Sequence, residues 1–255
     1  MTRALGRIAP VVVALVALVV AWDLGVRLFD PEPWLVPPPG DVVDAFWRTR
    51  SVLDDHVRAT MTEALLGLLL GSFAGAVLAL ALSLSAPVRR AVQPLLVVSQ
   101  SVPMVVLAPI LIVWFGFGTG PRVAVVALIA FFPVAISTLD SLLGADAELV
   151  ELFRGLGAGR LTTLWRVRLP AAGPGFFAGM KVSAAYAMFG AVIAEWMGAS
   201  VGLGVYLQRS QASFRTDQLF AAVIVIAAAS MALFGLVSLA ARLALPWRHT
   251  DEGDT

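Results

Sequence analysis

Long runs without an ionisable side chain dominate this chain. Residues 64–88, 91–121 and 218–241 contain none. Residues 123–139 are slightly shorter, and 8–22 and 182–194 are each extended by one charge, Asp23 and Glu195. A helix needs about 20 apolar residues to cross the hydrocarbon core of a bilayer. The pattern therefore predicts six membrane-spanning helices and an all-α integral membrane fold. Arg3 and Arg7 ahead of the first apolar run also fit a cleaved leader. No small-x-small site follows, however, and the run continues through Trp22, Leu24, Val26, Leu28 and Phe29. Residues 1–30 are thus expected to be a retained first helix.

Breaks in the pattern organise the rest. Residues 31–62 open with Pro31, Pro33, Pro37, Pro38 and Pro39. An amphipathic helix is expected next, with Val42, Val43, Phe46 and Trp47 as its apolar face; it would pack along the membrane rim. Gly67, Gly71 and Gly75 are four apart, so they share a face that another helix can approach closely. The run 91–121 is too long for one simple helix and holds Pro94, Pro103 and Pro109. Proline removes a backbone donor, and in lipid the freed carbonyls must find partners inside protein. The expected form is a surface helix, a break near Ser101-Val102-Pro103, and a crossing that ends at Gly116-Phe117-Gly118. Such a break lines a pathway or serves packing only. Residues 196–216 form a second outer segment, with Gly198, Gly202 and Gly204 for tight turns.

Composition agrees. The chain of 255 residues is 59% hydrophobic and 14% charged, against roughly 25% charged in soluble domains. It has no cysteine, which excludes disulfides and thiolate sites. His56 and His249 are too few and too far apart for a metal cluster. No cofactor is expected, and no nucleic-acid partner. Arg3, Arg7, Arg89, Arg90, Lys181, Arg242, Arg248 and the arginines of 144–175 fall on one side if the N-terminus is cytoplasmic. The positive-inside rule then places both termini inside. The expected division is a first helix (1–30), an extracytoplasmic segment (31–62), a core (63–248) and a cytoplasmic tail (249–255).

Residues 144–174 are the one long polar interruption in the back half. Asp146, Glu148 and Glu151 load acid onto a helix start, where the dipole favours it. Gly155, Gly157 and Gly159 end that helix. A second short helix, 160–168, places Leu161, Leu164, Trp165 and Val167 among arginines, with Pro170 as its stop and Pro174 opening the next span. The product is a rigid, mixed apolar and basic knob, suited to a groove on a soluble protein; a plain basic loop that fixes topology is the alternative.

This loop resembles the cytoplasmic EAA loop of bacterial ABC importer permeases, in which Glu-Ala-Ala, three residues, Gly and nine residues precede Ile-x-Leu-Pro. Glu151 stands at the acidic position, Gly157 at the glycine, Val167 at the isoleucine, and Leu169-Pro170 at Leu-Pro. Leu152-Phe153 replaces Ala-Ala. Pro103-Met-Val-Val-Leu-Ala-Pro109 with Trp114-Phe-Gly-Phe-Gly118 is similar to the branch importing sulfonates, taurine, nitrate and thiamine precursors. Ala194-Glu195 with Gly202-Leu-Gly204 is similar to it too, and closest to permeases for hydroxymethylpyrimidine or riboflavin. The resemblance covers residues 10–248.

It implies a type I (MetI-like) permease of a bacterial inner membrane. Its partners would be a second permease subunit, most simply an identical copy, two ATPase subunits and an extracytoplasmic binding protein. Glu151, Gly155, Gly157, Arg160, Val167, Leu169 and Pro170 would couple it to the ATPase. Pro103, Pro109, Trp114 and Glu195 are the candidate pathway residues. No Gly-x-x-x-x-Gly-Lys-[Ser/Thr] loop occurs, so ATP hydrolysis is expected on a separate subunit and not here. Glu195 is an intramembrane acid, which is expensive and marks function by default; a structural hydrogen bond to the Gly-rich outer segment is its plainer reading. Arg209, Arg215 and Asp217 would face a binding protein or solvent. An ion-coupled secondary transporter is the distant alternative, opposed by the lack of an inverted repeat and of further intramembrane charges. A membrane-embedded enzyme would need clustered His, Asp or Ser, which the spans lack.

Overall fold

The computed structural model describes residues 2–99 and 101–246, and every regular element among them is helical. In chain order the first α-helices are α1 (Thr2–Phe29), α2 (Pro39–Leu84), α3 (Ala86–Ser99), α4 (Met104–Phe115), α5 (Thr119–Leu143), α6 (Ala147–Gly155), α7 (Arg160–Thr163) and α8 (Leu169–Trp196). Then come α9 (Leu203–Ala212) and α10 (Thr216–Ala244). Five helical stretches are long and apolar enough to cross a membrane: Ala9–Phe29, Pro39–Leu84, Thr119–Leu143, Arg160–Trp196 and Thr216–Ala244.

The third expected crossing is the one that differs. Residues 91–121 divide into α3 and α4, with the break at 101–103 where the prolines placed it. Pro103 caps α4 and has no N–H to continue α3. The α4 helix has 12 residues, about 18 Å of rise against a hydrocarbon core of about 30 Å. It ends at Gly116, whose φ of +81° suits glycine.

Helix α5 is the axis of the fold, packed between α2 and α8. Small residues permit this on both sides. On α2, Gly71 faces the Ala127 carbonyl and Gly75 the Phe131 carbonyl, so a side chain at either would meet α5 backbone. On α8, Gly175 faces Ser141 and Gly179 the Pro133 carbonyl. Close approach gives van der Waals contact where lipid supplies no hydrophobic drive between helices. The main core joins Leu53, Leu68, Val126, Met188, Leu203 and Leu233; a second gathers Leu82, Leu96, Leu139, Leu142 and Leu164. By contrast α1 is exposed along its apolar length and meets the bundle at Trp22 on Phe220, 5.4 Å between ring centroids.

Two expectations need correction. The amphipathic helix expected within 31–62 is not a separate element: it is the first half of α2, 46 residues without interruption. A boundary at 62/63 falls inside that helix. Its buried face runs through Val42, Ala45, Leu53, His56 and Thr60, while Val43 and Trp47 are exposed. Apolar identity alone straddled the two sides, since Val42 is buried and Phe46 half-buried, and it missed polar His56 and Thr60, which are buried by bonds to another element. The second correction concerns Pro170, which does not stop a helix. Residues 160–196 run on, through a π-helical turn at Leu164–Arg168. There the Leu169 N–H reaches the Leu164 carbonyl, five residues back. Widening of this kind relieves the clash and missing donor that proline imposes. The expected tail, 249–255, lies outside the described residues.

Candidate functional site

The knob at 146–168 is built as capping chemistry requires. Asp146 is the N-cap of α6, and its carboxylate accepts from the N–H groups of Glu148 (2.8 Å) and Leu149 (3.4 Å). Glu148 adds acid in the first turn and Arg154 base in the last, each the sign the helix dipole favours. At the far end the Gly157 N–H donates to the Arg154 carbonyl (2.9 Å) and the Ala158 N–H to Phe153 (2.9 Å). That pair of bonds is a Schellman cap. It places Gly157 in the left-handed region, φ +80°. Gly155, in contrast, is helical with open space around it, and Gly159 caps α7 with ordinary extended backbone.

The knob turns its apolar groups outward. Leu149, Leu152, Leu156, Leu161 and Trp165 are exposed, Leu156 at 77%. Val150, Leu164 and Val167 are buried and hold the knob to the bundle. Glu151, Arg160 and Pro170 are exposed, and Leu169 is half-buried. Of the predicted coupling residues, Glu151, Gly157 and Arg160 thus lie on the outer surface, and Val167 anchors it. Leu152 and Phe153, where the pattern departs from Ala-Ala, divide the same way: Leu152 is exposed and Phe153 half-buried.

The predicted pathway residues do not form one group. Pro103 is exposed at the α3–α4 break, and Pro109 and Trp114 are exposed on α4, Trp114 at 73%. Glu195 is 1% exposed and sits elsewhere. One carboxylate oxygen accepts from the Thr60 hydroxyl (2.5 Å) and the other from the Gly204 N–H (2.6 Å). The Leu203 N–H donates to the Thr60 hydroxyl oxygen (2.8 Å). His56 Nδ1 lies 2.7 Å from the Gly202 carbonyl and 2.9 Å from its N–H, so either tautomer finds a partner. Glu195 therefore caps the start of α9 from α8, and α2 grips the same turn. Gly202, φ +144°, is pressed against the Glu195 carboxylate.

Next along α2, Glu63 (2% exposed) pairs with Arg122 of α5 at 2.7 Å. Tyr206 donates to Thr49 (2.9 Å) and meets the His56 ring edge-on. Asp217 pairs with Arg48 at 3.2 Å, and Arg209 donates to the Ser200 carbonyl. His56, Thr60, Glu63 and Arg122 were not singled out from sequence. A signal existed: His56, Thr60 and Glu63 continue, at steps of four and three, the face that carries Gly67, Gly71 and Gly75. Among the described residues no group of three or more His, Cys, Asp or Glu could hold a metal ion.

Residues 67–248 match the family model described as binding-protein-dependent transport system inner membrane component. The formylaminopyrimidine transport permease protein ThiX of Halalkalibacterium halodurans is 33% identical, over 91% of this chain and 92% of its own. The riboflavin transport system permease protein RibX of Chloroflexus aurantiacus is 34% identical, over 92% and 88%. The taurine transport system permease protein TauC of Escherichia coli is 29% identical, over 91% and 87%. Among solved structures, the inward-facing MetNI methionine ABC transporter aligns with a TM-score of 0.66 over 78% of this chain and 97% of that one. At 18% identity that likeness carries the fold alone.

Proposed function

The chain belongs to the family of binding-protein-dependent transport system inner membrane components, and from that premise we propose that it forms one half of a dimeric translocation pathway. It is the permease component of an ABC importer, in the branch of sulfonate, taurine and thiamine-precursor permeases. In the proposed arrangement α3 lies along the membrane surface and α4, after the break, makes the sixth crossing; both termini are cytoplasmic, and the knob hangs below the bacterial inner membrane. Two ATPase subunits receive the two knobs, and an extracytoplasmic binding protein delivers the solute. Closure of the ATPase pair draws the knobs together and shifts the bundle from inward- to outward-facing, a change its partners bias by differential contact.

The observation that carries this reading is the doubly capped knob with five large apolar side chains turned away from the bundle. A surface of that kind marks a contact with a protein or a membrane, and the arginines interleaved here suit a groove on a soluble protein. Leu152, in place of alanine, calls for a matching recess in the ATPase groove. For cargo we propose a pyrimidine-type thiamine precursor or a flavin, supported by the relatives named for formylaminopyrimidine and riboflavin. A sulfonate such as taurine is the second reading, favoured by the taurine relative. Selectivity would rest mainly on the binding protein. Membrane vesicles holding the chain with its ATPase and binding protein should take up solute only with ATP. Uptake driven by an ion gradient in the absence of the ATPase would overturn the reading in favour of a secondary transporter. A single cysteine at Leu156, in a chain that has none of its own, should react with impermeant maleimide only from the cytoplasm.

A further inference from the structure

A cavity of about 780 Å³ lies between the knob and the junction of α2 with α3. Arg89, Arg154, Arg160 and Arg168 line it, with Ser83 and Thr163, and no acidic side chain does. Among the described residues the ion pairs are Arg27–Asp23, Arg48–Asp217, Arg58–Asp54 and Arg122–Glu63. The four cavity arginines are in none of them. Four guanidinium groups around one concavity repel each other unless an anion joins them. Their planar forks match phosphate oxygens two at a time.

The position of the cavity narrows the choice of anion. Its upper wall is the end of the α2 span, where Ser83 and Leu84 line it. It therefore sits at the membrane boundary and not at the tip of the knob. Its side wall begins α3, whose Val88, Leu95, Val97 and Val98 are exposed and whose only buried residue is Leu96. A helix of that kind lies against acyl chains, so headgroup and chains would both be met in one place. Basic pockets between helices on the cytoplasmic side hold anionic headgroups.

We propose that this cavity binds the headgroup phosphate of an anionic phospholipid of the cytoplasmic leaflet, wedged between the bundle and the coupling knob. The inference rests on the cytoplasmic placement of the knob proposed above. Bound there, the phosphate bridges the α2–α3 turn to both helices of the knob, so lipid charge would set how firmly the knob is held.

The test uses the permease purified with its ATPase subunits, incubated with phosphatidylglycerol or phosphatidylcholine, and native mass spectrometry of retained lipid. Phosphatidylglycerol should be retained and phosphatidylcholine lost. Arg89→Gln with Arg168→Gln should cut retention about a hundredfold, roughly tenfold for each charge-assisted bond lost. Arg89→Gln alone, off the knob, serves if the double variant fails to assemble, with a loss of about tenfold. Arg90→Gln, on α3 but outside the cavity, should change nothing. Equal retention of phosphatidylcholine overturns the proposal. Displacement by excess inorganic phosphate overturns it in favour of a free-anion site. Retention only after the ATPase subunits are stripped away would make the cavity an ATPase contact instead. Retention only in a D251N/E252Q/D254N variant would make the chain's own tail the occupant. Because retention is read on purified complex, a reversed topology would leave it intact and fail only the Leu156 cysteine experiment.

Discussion

Gly157 and Gly155 are two residues apart, both exposed, and both predicted to matter for coupling, yet the structure gives them opposite responses to alanine. At Gly157 an added Cβ meets nothing within 4 Å, so sterics with neighbours cost nothing. The backbone is the obstacle: φ is +80°, and an L side chain in that region costs about 1–2 kcal/mol. At Gly155 an added Cβ also meets nothing, but the residue is helical. Alanine there recovers the roughly 0.5–1 kcal/mol that glycine gives up in a helix. The two substitutions should therefore differ by about 1.5–3 kcal/mol in the stability of the α6 cap. Amide exchange reads this locally, because the Gly157 and Ala158 N–H groups close the cap on Arg154 and Phe153. Gly157→Ala should speed exchange at residue 158 by about 5- to 30-fold, and Gly155→Ala should slow it by a few-fold. Gly157→Asn should fall between, since asparagine tolerates the left-handed region. ATP-driven uptake should follow the same order. Equal exchange in the two alanine variants would refute the assignment of Gly157 to a cap under backbone constraint.

Glu195→Gln should leave thermal stability in detergent, and uptake, nearly unchanged: its amide oxygen accepts from Gly204 while its NH2 donates to Thr60, whose proton turns to the His56 carbonyl 3.0 Å away. Glu195→Ala strands the Gly204 N–H and should cost about 1–3 kcal/mol; an equal loss in both variants would show that the charge itself is needed. Arg122→Gln leaves Glu63 buried without its partner and should cost about 3–5 kcal/mol, most of it restored by adding Glu63→Gln; a double variant no better than the single would refute the pairing. Gly71→Val should lower the melting temperature sharply because its side chain meets α5 backbone, whereas Gly235→Ala, with open space around it, should not. A joint change of Glu151 and Gly157 should abolish ATP-driven uptake with insertion intact, and normal uptake would sink the coupling assignment.

The helical form of the knob was legible in sequence because its signals are local. A capping Asp146, a left-handed Gly157 and acid at the start of a helix act within a few residues of each other. The break before Pro103 is local in the same sense. Trp114 and Glu195 were legible only as unusual residues in apolar runs, and where each points depends on helices far away in the chain. Pro170 misled because proline signals a helix stop, while the π turn that absorbs it has no signature of its own.

The sequence by itself determined the membrane class, the positions of five of the six expected spans and the capping of the knob, since each follows from hydropathy, capping and spacing over short stretches. Only the tertiary structure decided that α2 runs unbroken from Pro39 to Leu84, that Glu195 caps α9 with Thr60 and His56 in attendance, and that four arginines from two separate segments surround one cavity. For Glu195, Thr60 and His56 the physical reason is burial. A buried polar group is stable only when its partner arrives, and these partners come from helices up to 146 residues distant in the chain.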